Sequence, residues 1–147
     1  MTELGRQVTV MRPKKGPTVR VAGDSYRLLG TGAGTDAGYV LLEALVPPGG
    51  GPPPHMHARE EEGFYVLEGE IDFTAEGKTL RAAPGTYLNM PKTTPHSFRN
   101  NTEAPARMLI LCAPAGIEHF FIEADGKPPE ALAESAARYG ITILPPA

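Results

Sequence analysis

Short apolar runs separated by turn residues fill most of the chain up to residue 113. Apolar and polar positions alternate loosely within them, which is typical of β-strands, whose successive side chains point to opposite faces. Gly69, Gly77 and Gly85 separate three of the runs at a regular spacing of eight. Short strands with regular turn signals predict an all-β sandwich or barrel. The predicted strands cover residues 18–29 (one strand or two, divided near position 23), 39–46, 63–67, 70–74, 78–82, 86–90, 96–99 and 106–112, with weaker candidates at 7–10 and 141–144.

After residue 113 the hydrophobic period changes to that of an amphipathic helix. The apolar positions follow the spacing i, i+3, i+4, i+7 at Ile117, Phe120, Phe121 and Ala124. A second helix is predicted over residues 130–139, with Gly140 in the position that glycine favours after a helix. We expect one domain over residues 1–147, with a barrel core at about 18–113 and a helical extension at about 115–140. The two helices could cap the barrel mouth or pack on its outside.

Composition and charge narrow the classes of partner. The chain has 147 residues, 17 Gly, 16 Pro and a formal net charge of −3. Because basic residues do not interleave with aromatic ones, nothing favours a nucleic-acid partner. No apolar stretch is long enough to span a bilayer, and residues 1–11 lack the apolar segment of a secretory signal. These patterns predict a cytoplasmic protein whose partner is a small molecule rather than a nucleic acid or a membrane.

Three other features have plainer interpretations. The glycine-rich stretch 30–38 contains G-x-G but is followed by a strand, so it indicates a flexible turn rather than a nucleotide-binding loop. Cys112 is the only cysteine, which rules out an internal disulfide, and its apolar run predicts a buried strand position. His119 lies off the apolar stripe of its helix and is expected on the surface.

The candidate chemistry lies in three of the four histidines and one acidic residue. His55 and His57 are two positions apart, so on a strand both imidazoles project to the same side. Glu62 follows after a short turn that can return the chain alongside, and His96 comes later, after the proline-flanked loop 91–95. Three imidazoles and one carboxylate suit a divalent transition metal such as Fe, Ni, Mn, Cu, Co or Zn. Each feature taken alone is more often a solvated surface pattern, and only their combination indicates a site.

Two segments resemble the conserved motifs of the cupin family. Residues 49–69 match the first motif, which is Gly, five residues, His-x-His, three or four residues, Glu, six residues and Gly. Residues 85–100 resemble the second motif, which is Gly, five residues, Pro-x-Gly, two residues, His, three residues and Asn. One position departs from the pattern, because Thr93 stands where glycine is usual. This departure concerns the turn before His96 rather than a ligand.

The resemblance implies a double-stranded β-helix, the cupin jelly-roll barrel, with C-terminal α-helices added to it. It implies that His55, His57, Glu62 and His96 hold one divalent transition metal per chain, and that the protein is a homodimer. The tail resembles that of small cupins described as quercetin dioxygenase-like. That description is a similarity label and leaves the substrate open.

The leading functional hypothesis is a metal-dependent dioxygenase acting on a small enolic or aromatic compound. Similarity to quercetinases implies that Glu62 takes a proton from the substrate hydroxyl, whose pKa a metal would lower. Phe64 and Phe98 each follow a ligand by two residues and so could line an apolar pocket, or could be ordinary core aromatics. The alternatives are a metal-assisted isomerase, lyase or polyketide cyclase, and a non-catalytic cupin that binds a small molecule.

Overall fold

Two antiparallel β-sheets form the body of the computed structural model, which describes residues 7–145. The strands are β1 Thr18–Val21, β2 Asp24–Gly30, β3 Val40–Val46, β4 His55–His57, β5 Glu61–Glu68, β6 Ile71–Ala75, β7 Lys78–Ala82, β8 Tyr87–Met90, β9 His96–Arg99, β10 Ala106–Ala113 and β11 Ile141–Ile143. The helices are α1 Gly32–Thr35, α2 Glu118–Ala124 and α3 Leu132–Arg138, with a 3-10 turn at Pro129–Ala131 before α3.

The strand order is that of a jelly-roll sandwich, as the resemblance to cupins implied. One sheet has the order β1-β2-β3-β10-β5-β8, and the other has the order β11-β4-β9-β6-β7. Strands adjacent in space are often distant in the chain: β10 lies between β3 and β5, and β4 lies between β11 and β9. The second of these arrangements places two histidine-bearing strands side by side.

The core lies between the two sheets and follows from the two-residue period of the strands. In β10 the side chains of Ala106, Met108, Ile110 and Cys112 are buried, whereas the intervening ones point outward. Cys112 is therefore a buried strand residue, as predicted. Burying an aliphatic side chain of this kind stabilises the fold by roughly 1.5–3 kcal/mol. The apolar face of each strand thus fixes which of its polar residues also face the interior.

The structure corrects two details of the predicted strands and confirms a third. Residues 7–10 form no strand, because no segment within the described part of the chain supplies them with a hydrogen-bonded ladder. The predicted division of the stretch 18–29 near position 23 is confirmed, since β1 and β2 separate at Ala22 and Gly23, both of which have a positive φ angle. The loop 30–38 contains one turn of helix, α1, where only an irregular turn was expected.

The C-terminal segment packs against the barrel through its apolar stripe. Phe120, Phe121 and Ala124 of α2 are buried, and so are Leu132 and Ala136 on the following helix. His119 is exposed, as expected from its place off the stripe. Among residues 7–145, none of the helices has the length and apolar character that crossing a bilayer requires.

Candidate metal centre

The predicted ligands His55 and His57 lie on β4 with both rings facing the interior. They are 8% and 5% exposed, with Met56 between them turned the other way along the pleat. β4 has only three residues because the proline-rich segment before it cannot donate to a ladder. Both imidazoles therefore project into the space between the sheets.

The other two predicted ligands come from separate strands. His96 opens β9 and pairs directly with His55 across the ladder. Glu62 lies on β5 in the opposite sheet, where it pairs with Met90 and Cys112. The jelly-roll topology thus brings together four residues that no single strand could present. The structure gathers the complete set that the sequence predicted.

The four side chains form a tight, buried cluster. One potential ligand atom from each residue lies within 4.8 Å of the others. Glu62 Oε1 lies 2.9 Å from His96 Nε2 and 3.3 Å from His57 Nε2. The second carboxylate oxygen, Oε2, accepts a weak contact at 3.7 Å from the Cys112 thiol. One carboxylate oxygen therefore faces two imidazoles, and the other faces the core.

Backbone carbonyls fix the orientation of two of the rings. His55 Nδ1 lies 2.9 Å from Pro53 O, and His96 Nδ1 lies 2.8 Å from Thr94 O. Because a carbonyl oxygen can only accept, each Nδ1 must carry the proton. When the ring is neutral, its Nε2 then has a free lone pair, which is the form that binds a metal.

His57 lacks comparable partners. Its two ring nitrogens are buried and make no aligned hydrogen bond, although carboxylates of Glu60 and Glu62 lie 3.3 Å away. A buried polar atom without a hydrogen bond is costly, so native proteins rarely leave one unsatisfied. A divalent cation among the four ligands would satisfy the inward nitrogen. The donor set and this unsatisfied atom both fit a divalent transition metal in the class of N/O sites.

Electrostatics favour the form that a cation needs at Glu62 and His55, and oppose it at His57. Burial opposes ionisation of Glu62, but the hydrogen bond from His96 and the nearby imidazoles outweigh it and lower its pKa to about 2. Burial lowers the pKa of His55 to about 4. Burial also acts to lower the pKa of His57, but Glu60 and Glu62 outweigh it and raise that pKa. At neutral pH the cluster therefore holds an ionised carboxylate and at least one neutral imidazole.

Thr93, the residue that departs from the second motif, adopts the backbone conformation that the usual glycine would. Its φ is +69°, in the left-handed region that a β-branched residue rarely enters. Its amide donates to His57 O at 2.8 Å. The turn geometry before His96 is therefore kept, and it ties the loop to the end of β4.

A narrow cavity opens beside the cluster and is lined mainly by apolar side chains. His55, His57 and Glu62 form its polar end. Phe120 and Phe121 of α2 and Leu132 of α3 form part of its wall, so the C-terminal helices cover the barrel mouth. The cavity has a volume of about 60 Å³, which holds a few water molecules. As it stands, this space excludes a molecule as large as a flavonol.

The two predicted pocket aromatics have different positions. Phe98 lines the cavity. Phe64 is fully buried beside it, in edge contact with Phe73 and Phe98 and 6.2 Å from the His96 ring. Phe64 is therefore a core aromatic behind the site, which was the alternative interpretation of its position.

Sequence reasoning missed three polar residues around the cavity. Tyr26 lines it and donates a hydrogen bond at 3.2 Å to Asp24, a fully buried carboxylate. Glu60 is 3% exposed and lies behind His57. The two-residue period could have placed Glu60 on the same side as Glu62, but the run of three glutamates resembled a charged turn.

Comparison with known proteins identifies the class to which this fold and site belong. Residues 42–112 match the model of the family described as "Cupin domain". The chain is 27% identical over 123 residues to quercetin 2,3-dioxygenase of Bacillus subtilis (strain 168). The aligned segment covers 82% of this chain and 36% of that protein. The chain belongs to the cupin superfamily. It spans about a third of the length of that curated relative.

Two solved structures illustrate the likeness of fold. KdgF from Halomonas sp. superposes with a TM-score of 0.67 and 19% identity, covering 76% of this chain and 99% of that one. The polyketide cyclase RemF from Streptomyces resistomycificus gives a TM-score of 0.65 and 24% identity, covering 73% and 80%. At these identities the likeness concerns the fold alone.

Proposed function

We propose that this cupin is a metal-dependent dioxygenase that acts on a small enolic or aromatic compound. The observation that carries the proposal is a buried three-histidine, one-glutamate cluster at the end of an apolar cavity. His55, His57, Glu62 and His96 would hold one divalent transition metal per chain. The similarity to a quercetin 2,3-dioxygenase supports the reaction class.

The chain's own residues would contribute binding, orientation and proton transfer. A metal bound at the cluster would lower the pKa of a coordinated substrate hydroxyl. Glu62 lines the cavity, so its carboxylate borders the space where that hydroxyl would lie and can take its proton. Phe98 and Phe121 would pack against an apolar substrate and exclude water from the site.

The cavity also restricts the size of the substrate. A ligand pocket for a drug-sized molecule usually measures several hundred Å³, far more than the space present here. A compact enol or a single-ring phenol needs the least displacement of α2 and α3. We therefore propose substrates smaller than quercetin.

Oxygen uptake tests this proposal. The protein is reconstituted separately with Fe, Ni, Mn, Cu, Co and Zn, and oxygen consumption is followed with small enols, single-ring phenols and flavonols. We expect metal-dependent uptake with the compact compounds and its loss in Glu62→Gln. Metal-loaded protein that consumes no oxygen with any of them contradicts the proposal.

A metal-assisted isomerase, lyase or cyclase is the second candidate function. It is favoured by the structural likeness to a polyketide cyclase, together with a mainly apolar cavity beside the cluster. Such an enzyme would convert its substrate without consuming oxygen, so product analysis under nitrogen separates it from the dioxygenase. A non-catalytic cupin would bind the compound and return it unchanged.

We further propose a homodimer formed through the outer face of the six-stranded sheet. Leu45, Tyr65, Tyr87 and Leu111 are 42–64% exposed there, on strands that lie side by side. Apolar side chains grouped on one sheet face are typical of a protein contact. Light scattering should give twice the chain mass for the wild type and a single chain mass for Tyr65→Glu. A monomeric wild type contradicts the proposal.

The cytoplasmic location of the protein stays a prediction.

A further inference from the structure

The three histidines of the cluster differ in what holds the outward ring nitrogen. His55 and His96 each begin a strand, and a loop carbonyl two residues earlier accepts from Nδ1. His57 ends its strand, so the residue two positions earlier is His55, inside the ladder. A partner for its Nδ1 that is close in sequence must therefore come from the residues that follow it.

Glu60 is that partner by position. It lies three residues after His57, and its Oε1 is 3.3 Å from His57 Nδ1, on the side of the ring opposite Glu62. The two side chains are only 6% and 3% exposed. Within residues 7–145, Glu60 Oε1 makes no hydrogen bond, and the ion pairs of the Glu60 carboxylate are limited to His57. The 3.3 Å separation of Nδ1 and Oε1 is only slightly longer than a usual N–H···O hydrogen bond.

A buried carboxylate without a bonding partner costs the fold free energy. Ionised carboxyl groups are rarely buried without a partner, since burial removes their hydration. Metal-binding histidines commonly donate their second ring N–H to a carboxylate or a carbonyl, which fixes the tautomer and makes the ligand nitrogen a better donor. Two rings here use carbonyls, and the third has a carboxylate within reach.

We propose that Glu60 is a positioning residue that holds the His57 ring through Nδ1–H, so that Nε2 is directed to the metal centre. The proposal rests on the metal centre described above. The role also distinguishes His57 from His55 and His96. A negatively charged acceptor at Nδ1–H makes the metal-binding Nε2 of the same ring a better ligand than a neutral carbonyl does. Because Glu62 is a predicted metal ligand on the Nε2 side of the His57 ring, Glu60 remains as the acceptor for Nδ1–H.

Metal affinity and ring tautomer test this role together. Glu60→Ala removes the acceptor, Glu60→Gln keeps an acceptor without the charge, and Glu103→Gln removes the same charge at an exposed site far along the chain. The Kd for Zn²⁺ is measured by chelator competition. The protonated nitrogen of His57 is identified by long-range ¹H–¹⁵N NMR on the metal-free protein at about pH 9, well above the ordinary pKa of an imidazole.

We expect Glu60→Ala to raise the Kd by about 10- to 100-fold and to move the proton of His57 to Nε2. Glu60→Gln should keep the proton on Nδ1 with a smaller loss of affinity, and Glu103→Gln should match the wild type. An unchanged Kd in Glu60→Ala, or a changed Kd with the proton still on Nδ1, overturns the positioning role. If wild-type protein takes up no Zn²⁺, the metal centre is rejected, and the tautomer in metal-free Glu60→Ala still decides the role of Glu60.

Discussion

The barrel contains two buried carboxylates, Asp24 and Glu62, whose surroundings differ sharply. Burial acts to raise the pKa of both. At Asp24 it prevails over the Tyr26 hydrogen bond and the Gly51 backbone, so the pKa rises to about 6. At Glu62 the hydrogen bond and charges of three imidazoles prevail, so the pKa falls to about 2. The comparison shows that burial alone does not decide whether an interior carboxylate is ionised, because the number and charge of its donors do.

The largest expected effect comes from neutralising the carboxylate that is surrounded by imidazoles. Glu62→Gln should weaken metal binding by more than about 100-fold, since losing a ligand costs more than losing a ligand's partner. Elemental analysis of protein purified without added metal measures the occupancy. The matched control is Asp24→Asn, which removes a buried carboxylate outside the cluster and should retain the metal. Equal occupancy in the two variants would remove the distinction between the sites.

The loop 47–54 passes beside the Asp24 carboxylate, and one glycine fixes its path. Gly51 has φ +134°, and a Cβ added there would overlap the carbonyl oxygen of Phe98 on β9. Gly51→Ala should therefore lower the free energy of unfolding by about 3 kcal/mol, from steric overlap and backbone strain together. Urea denaturation measures this loss. Gly49→Ala is the control, because a Cβ at Gly49 meets no atom within 4 Å although its φ is also positive; an equal loss in both would assign the effect to φ alone.

The raised pKa of Asp24 should make the stability of the fold depend on pH. The folded-state pKa of Asp24 lies above its unfolded value of about 3.8. The contribution of Asp24 to the free energy of unfolding is therefore fully present below about pH 4, and it is lost as the pH rises through 6. Asp24→Asn should remove this decline and raise the free energy of unfolding at pH 8 by about 2 kcal/mol. Urea denaturation of both proteins between pH 4 and pH 8 measures the difference. A difference that stays constant with pH contradicts the raised pKa.

The smallest expected effect concerns the strained turn on the metal side. Thr93→Gly relieves the left-handed strain at φ +69° and should raise the free energy of unfolding by about 1 kcal/mol, after the greater flexibility of glycine in the unfolded chain is counted. Metal content should not change, because Thr93 contacts the site only through its amide. Denaturation curves measure the gain, and a destabilised variant would show that the Thr93 side chain itself holds the turn.

The sequence predicts most of the fold and the ligand cluster because both follow local patterns. Alternation defines the strands, and His-x-His places His55 and His57 on one face. The places of Glu60 and Glu61 could not be predicted, because each depends on what surrounds the side chain. Glu60 lies behind His57, Glu61 is exposed and bonds to Asn89 and Lys92, and Glu62 enters the cluster.

Long-range packing accounts for the other missed features. Asp24 and Tyr26 belong to a strand with an unremarkable alternating pattern, and only the sheet order places them beside the cavity. Residues 7–10 alternate as a strand would, but no other strand of residues 7–145 pairs with them. Pairing partners and neighbours across the core are properties of the whole sandwich, which local periodicity does not report.

The position of β4 has a consequence for the order of folding events. β4 is short and lies between β9 and β11, and β11 is contributed by residues 141–143, far along the chain. Contacts between distant segments form slowly, because the entropy of closing the intervening loop is lost before the contact rewards it. The strand that presents His55 and His57 therefore gains its second neighbour only when residues 141–143 have docked. Assembly of the metal-binding cluster is consequently expected among the last steps by which the chain becomes native.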